Sequence, residues 1–269
     1  MNKTWRYIKS GALEGDRNMA IDAALFESVA SGKSPPVLRL YNWHPPTVTL
    51  GYGQREVESV DLDFCRQAGL AVVRRPTGGR AVLHDREVTY AIIASEGTGD
   101  FPGGILDNYR VVSEILRDTI RSFDLPAELV PGRSSGGRPS GGDRSVCFTA
   151  PSSYELVVDG CKIAGSAQKR GQGAFLQHGS IPLEMDLEKL FRALTPGRTP
   201  TAQGVERLRR SVGWLNRYAS SALSVRQVEE RLVQCFVGRL GCRLVEDQPT
   251  ATEQARVREL IGGTYRRLV

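Results

Sequence analysis

Three short segments carry residues whose types and spacing could do chemistry. The first is Arg74-Arg75-Pro76-Thr77-Gly78-Gly79-Arg80, followed by an apolar run into His84-Asp85. Paired glycines let a backbone approach a ligand closely and take dihedrals that other residues avoid. Their amides can form a concave nest for a carboxylate or a carbonyl oxygen. A tight turn that holds no ligand would use the same pair. Arg74, Arg75, His84 and Asp85 all crowd this one turn, and such polar density beside apolar runs asks for a reason beyond the turn itself.

The second segment is Cys147-Phe148, just past a Gly/Ser/Pro/Arg-rich stretch at 131–145 and just before a strand pair. An ordinary thiol has a pKa of about 8.5, so little of it is thiolate at neutral pH. A nucleophilic cysteine therefore needs a cationic or basic neighbour. Lys162 is a candidate, on the strand that enters Gly165-Ser166-Ala167, although a lysine at a hairpin is also an ordinary surface residue. Gly165 and Ala167 are small enough to let an acyl chain pass the backbone. The third segment is Gln177-His178-Gly179-Ser180. His178 could serve as a base, and a lone strand histidine could equally be a satisfied structural residue.

Other chemistries lack their residues. The five cysteines (Cys65, Cys147, Cys161, Cys235 and Cys242) include no C-x-x-C pair, so neither a zinc ribbon nor a redox dithiol is suggested. In a reducing compartment they are free thiols, and most free cysteines are small buried hydrophobes. No cluster has zinc spacing and no Walker-type phosphate loop is present, so neither a metal nor a cofactor is expected. The formal net charge of +6 and pI near 9.2 come from Lys and Arg that look scattered. With no nucleic-acid motif, a solvated basic surface or an acidic protein partner fits better than nucleic acid. No apolar run reaches membrane-spanning length, and the opening MNKTWRYIKSGALEGDRN is too polar for a secretion signal. The cytoplasm is the expected compartment.

The elements that position these segments read as a mixed order. The apolar spacing predicts a helix over Asp16–Gly32, with Gly32 as its stop, and another over Asp107–Phe123. Strands are predicted from Val37, Thr47, Ala71 and Val88, with Pro45-Pro46 separating the first two. A short helix fits Leu62–Ala68. Tyr154–Val158 and Lys162–Ala167 read as strands joined by Asp159-Gly160, a pair that favours a tight hairpin turn. AFLQHGSIPL makes a further strand. Ser224 and Gln227 form a capping box for a helix with Val228, Leu232 and Phe236 on its apolar face, and a last helix starts near Thr252. The order is α/β (α+β): a mixed, largely antiparallel sheet flanked by helices. Residues 131–145 cannot bury enough apolar surface to order themselves, so they are either a lid or a tolerated insertion.

Taken together, RRPTGGRAVLHD, the Cys147 segment with PSSYELVVDGCKIAGSAQKR, and FLQHGSIPL resemble the biotin/lipoate protein ligase and octanoyltransferase superfamily. The similarity runs from about Trp5 to Leu194. It looks most like the octanoyltransferases: Tyr154-Glu155 stands where ATP-using lipoate ligases usually carry Asn-Asp, and those ligases usually lack a cysteine in the preceding loop. Arg80 replaces the third glycine of the usual motif. The resemblance implies the ligase-like catalytic fold over residues 1–220, with 221–269 a helical extension packed on the same domain. It implies that Cys147 forms an acyl thioester and that Lys162 lowers its pKa. It implies a substrate site at Arg75, Thr77, Gly78, Gly79, His84, Gly165, Ser166, Ala167 and His178. The expected donor is octanoyl-acyl carrier protein. The expected acceptor is a lysine of a lipoyl domain such as the glycine cleavage H protein. No ATP, metal or cofactor is implied, and a monomer is the expected state. An ATP-dependent lipoate ligase, a non-catalytic carrier-binding module and a thioesterase pairing Cys147 with His178 or His84 are the alternatives.

Overall fold

A strand that the sequence pattern does not reveal opens the chain. β1 (Lys3–Leu13) is rich in polar residues, and Arg6 within it is nevertheless buried. It is buried because Glu253 takes two of its donors, at 2.7 and 2.9 Å, and Asp247 a third at 2.6 Å. The computed structural model describes residues 3–97, 99, 101–131 and 154–269. Cys147 and all of the 131–145 stretch except Pro131 lie outside the described residues.

The chain continues through α1 (Gly15–Ala30), β2 (Val37–Trp43), β3 (Thr47–Leu50), α2 (Glu56–Ser59), α3 (Leu62–Gln67), β4 (Ala71–Arg74), β5 (Val82–His84) and β6 (Glu87–Ser95). Then come α4 (Ile105–Arg121), β7 (Glu128–Pro131), β8 (Tyr154–Val158), β9 (Cys161–Lys162), β10 (Gly165–Gly171) and β11 (Ala174–Pro182). The last part holds α5 (Leu187–Leu194), α6 (Ala202–Arg209), α7 (Leu215–Tyr218), α8 (Val225–Leu240), β12 (Cys242–Glu246) and α9 (Ala251–Gly262).

Most of these elements follow their sequence signals. Gly32 takes φ +70° beyond α1, a conformation that costs glycine little. Asp159 and Gly160 have φ +48° and +73°, as the tight hairpin requires. Ser224 and Gln227 close the capping box of α8.

Lys162–Ala167 is not the continuous strand that the sequence suggests. β9 ends at Lys162, Ile163 and Ala164 cross the core fully buried, and β10 begins in a different sheet. Two buried apolar residues carry the chain from one layer to the other, a step that the strand-like residue types conceal.

The main sheet has the order β10-β11-β6-β2-β1-β12. β1 runs parallel to β2 and β12, and the other neighbours are antiparallel. Alternation along β2 sends Val37 and Tyr41 to the layer of α1 and α9. It sends Leu38 and Leu40 to the opposite layer, with α4 and α8. Each fully buried side chain of this size contributes about 1.5–3 kcal/mol. Residues 221–269 supply α8, β12 and α9 to these same layers. A small sheet, β4-β3-β5, packs on α5 and α6 through Val48, Leu50, Val72, Leu190 and Leu208. A third sheet, β7-β8-β9, leads into Lys162.

Candidate functional site

The glycine turn is held by its own arginine. Arg75 leaves β4 and folds back over the turn. Its Nη2 donates to the carbonyls of Gly78 (2.6 Å) and Arg80 (2.8 Å). Its Nε reaches Thr77 Oγ1 at 3.1 Å, and its Nη1 reaches Thr49 Oγ1 at 3.2 Å. The buried guanidinium thus finds acceptors in the turn carbonyls, and the turn is held closed by them. Gly79 has φ +91°. A Cβ on Gly51 would stand 1.9 Å from the Gly79 carbonyl oxygen, so Gly51 is required by close approach of two backbones. Arg74 points elsewhere: it donates to the carbonyls of Gly51, Tyr52 and Gln54 and pairs with Glu56.

Arg75 connects two histidines. Thr77 Oγ1 lies 2.7 Å from His178 Nε2, and Thr49 Oγ1 lies 2.9 Å from His84 Nε2. On its other side, His178 Nδ1 is 2.9 Å from Asp22 Oδ2, and His84 Nδ1 is 2.8 Å from Glu87 Oε1. His84 stacks on Trp43 at 4.3 Å and 17°. Asp22 also accepts from Arg39 at 2.6 Å and from Tyr41 at 2.8 Å.

Burial holds His178 below the usual histidine range, although Asp22 pulls it the other way. This direction favours the neutral ring, and in the tautomer that matches its partners Nδ1–H donates to Asp22 and Nε2 accepts the Thr77 hydroxyl proton. Burial also pushes the Asp22 carboxyl up, but Arg39 and His178 outweigh it and hold Asp22 below the ordinary aspartate value. Tyr41 is raised well above ten by burial and by Asp22.

These groups wall a cavity of about 180 Å³. Met19, Tyr41, Trp43 and Val82 supply apolar wall, and Gly165, Ala167 and Gly179 supply wall with little or no side chain. Arg75, Gly79, Arg80, His84, Lys162, Ser166 and His178 are among the other lining residues, with the hydroxyls of Thr49, Thr89 and Ser180. Thr77 and Gly78 are not in the lining, and they contact it through His178 and Arg75. Gly179 is needed for closeness: a Cβ there would meet the Gly165 carbonyl at 2.3 Å and Tyr90 Oη at 2.8 Å. Ser166 Oγ is 2.6 Å from Tyr90 Oη.

Lys162 Nζ lies 3.3 Å from Glu155 Oε1, both half-buried. Its backbone is gripped by a loop from the C-terminal part: Lys162 N donates to Ser211 O at 3.0 Å, and Gly213 N donates to Lys162 O at 2.8 Å. The cavity therefore combines an apolar wall with the cations Arg75, Arg80 and Lys162 and two histidines. It suits a chain-like apolar ligand with a polar, reactive end.

The three segments met in the sequence do converge, apart from Cys147. Asp22, Arg39, Thr49, Glu87 and Glu155 were missed. Four of these leave a trace. Asp22 interrupts the apolar stripe of α1, Arg39 the apolar run of β2, and Thr49 and Glu87 border runs that are otherwise apolar. A polar residue at a position whose period demands burial marks a buried partner.

A family model described as lipoyl protein ligase A/B catalytic domain matches residues 14–237. The octanoyltransferase LipM of Kyrpidia tusciae is 41% identical over 264 residues, covering 96% of this chain and 95% of that one. That of Geobacillus kaustophilus is 40% identical over 269 residues, covering 98% and 96%. Among solved structures, a lipoate-protein ligase A bound with ATP aligns with a TM-score of 0.78 at 25% identity, over 98% of this chain and 95% of that one. A bipartite lipoate protein ligase from Thermoplasma acidophilum, solved in a study that includes its E2 lipoyl domain, aligns at 0.75 and 25% identity, over 97% and 92%.

Proposed function

Because the chain belongs to the lipoyl protein ligase A/B catalytic-domain family, we propose that it is an acyltransferase that moves an octanoyl group from acyl carrier protein, through a Cys147 thioester, to a lysine of a lipoyl domain. One observation carries this reading: near full-length identity of about two residues in five to proteins named octanoyltransferase.

Two displacements make up the reaction. The Cys147 thiolate attacks the thioester carbonyl of the octanoyl carrier. The tetrahedral intermediate collapses, the carrier thiolate leaves and takes a proton from Lys162, and an S-octanoyl enzyme remains. The uncharged ε-amine of the acceptor lysine then attacks the new thioester. An amide forms, the amine loses a proton, and Cys147 is released. A thioester is already activated, so the balance needs no nucleotide.

Lys162 favours the thiolate as a nearby cation and relays the proton of the incoming amine. The apolar wall of Met19, Tyr41, Trp43 and Val82 takes the acyl chain, and Gly165 and Ala167 let it pass. Amides near Gly79 or Gly165 hold the tetrahedral oxyanion. Arg75, His84 and His178 keep the substrate wall rigid through Thr49 and Thr77. The acceptor is a lipoyl domain such as glycine cleavage H protein. The enzyme acts in the cytoplasm as a monomer, where its thiols stay reduced.

Intact-protein mass spectrometry tests the reading, with octanoyl-acyl carrier protein as donor and Cys147→Ala as control. A hydroxylamine-labile octanoyl adduct on the wild type alone is expected. An adduct that persists on the variant would remove Cys147 from the mechanism.

A second reading, ATP-dependent lipoate ligation, draws on the likeness to a ligase bound with ATP. It predicts lipoyl adenylate formation and indifference to Cys147→Ala.

A further inference from the structure

One strongly positive segment of this chain lies beside the cavity wall. Between Arg198 and Arg217 there are five arginines, no lysine and one acid, Glu206, a net of +4 in a chain whose total is +6. Arg207, Arg209 and Arg210 are exposed at the end of α6. Glu206 is shared by Arg209 at 3.6 Å and Arg210 at 3.0 Å, so a surplus of positive charge faces solvent.

This ridge is mounted on the catalytic wall. The carbonyls of Arg209 and Arg210 lie 3.8 and 3.5 Å from Cys161 Sγ, one residue from Lys162. The very next residues, Ser211 to Gly213, grip the Lys162 backbone. Arg217 Nη1 braces the turn by donating to the carbonyls of Arg209 (2.6 Å) and Val212 (3.0 Å). A partner seated on these arginines is therefore held in fixed register with the cavity.

We propose that Arg207, Arg209 and Arg210 dock the acidic carrier domain that delivers the acyl thioester. The inference rests on the acyl-transfer reading above. The exclusive use of arginine favours the donor over the acceptor. The donor carries its thioester on a phosphodiester-linked arm, and guanidinium forks match phosphate oxygens bidentately. An acceptor lysine brings no such anion to the mouth. Charge complementarity at this ridge steers the encounter and sets its salt dependence.

The test uses R207E/R210E and the milder R207Q/R210Q in the full chain, alongside wild type. Formation of S-octanoyl enzyme is followed with octanoyl-acyl carrier protein and with octanoyl-pantetheine, a donor without a carrier domain. At an ionic strength of about 0.01 M, where screening reaches only beyond about 30 Å, the carrier-borne donor should react about tenfold slower or worse with the charge-reversed variant. The gap should close toward 1 M salt, and the pantetheine donor should be unaffected. Equal slowing with both donors, or none with either, overturns the proposal. So does slowing confined to transfer onto the lipoyl domain, which would assign the ridge to the acceptor. Fluorescence anisotropy of labelled, unacylated carrier reads docking directly. Weaker binding to the variants supports the ridge and equal binding rejects it, even if the wild type acquires no adduct. That last result would instead reject the acyl-enzyme reading.

Discussion

Asp22 accepts the Nδ1 proton of His178 at 2.9 Å while its other oxygen ion-pairs with Arg39 at 2.6 Å, on the buried face of α1. One carboxylate thus fixes the histidine at the cavity wall and neutralises a guanidinium that has no access to water. Asp22→Asn leaves Arg39 buried without a counter-charge. It should cost about 3–5 kcal/mol in urea-induced unfolding. A midpoint equal to that of the wild type would mean that the pair is not stabilising.

Acid should weaken the fold from a definite starting point. His178 has a folded pKa below its unfolded value of about 6.5, so below that pH the unfolded chain binds the extra proton. The stability it contributes is full above about pH 6.5 and is lost as pH falls toward the folded value. Asp22 and Glu253, both held below their ordinary values, add further losses as pH falls through their own folded values. Scanning calorimetry should show a thermal midpoint that declines between pH 6.5 and 5 and a shallower decline for His178→Gln. Identical slopes would place the acid-sensitive group elsewhere.

Close backbone approach should make two glycines intolerant. Gly51→Ala forces a Cβ against the Gly79 carbonyl, and Gly179→Ala forces one against the Gly165 carbonyl. Backbone cannot rotate away as a side chain can, so each should cost about 1–3 kcal/mol and distort the cavity. Gly238→Ala, where a Cβ meets nothing within 4 Å, is the control and should be neutral or slightly stabilising.

Thiol accessibility should separate the cysteines. Cys65, Cys161 and Cys242 are buried, and burial pushes the Cys65 thiol up to about 12. Iodoacetamide at neutral pH should therefore leave Cys65 unmodified while half-buried Cys235 reacts, as read by peptide mass mapping. Rapid labelling of Cys65 would contradict its packing under the small sheet.

Glu155 should matter to turnover more than to stability. Its carboxylate holds the Lys162 ammonium at 3.3 Å. A partly exposed pair contributes at most about 1 kcal/mol, so Glu155→Gln should barely move the thermal midpoint. Acyl-enzyme formation should nevertheless slow, because Lys162 loses the group that aims it. Full activity in the variant would show that the backbone grip of Ser211 and Gly213 alone positions the lysine.

Local chemistry made much of this protein readable from its sequence. The helix ends at Gly32, the hairpin at Asp159-Gly160 and the α8 capping box depend on a few adjacent residues, and each is where its signal lies. The glycine turn, Lys162, Gly165–Ala167 and His178 were identifiable as segments because glycines and polar groups beside apolar runs need a reason. Tertiary structure decided the rest. β1 hides its strand because Arg6 is neutralised by residues more than two hundred positions away, and the layer change at Ile163-Ala164 follows from which sheets have room. The partners of the two histidines, Asp22 and Glu87, and the seating of the arginine ridge beside Lys162 also come from packing. Whether a polar residue is buried, and what it then does, depends on groups that only the folded chain brings within hydrogen-bond reach.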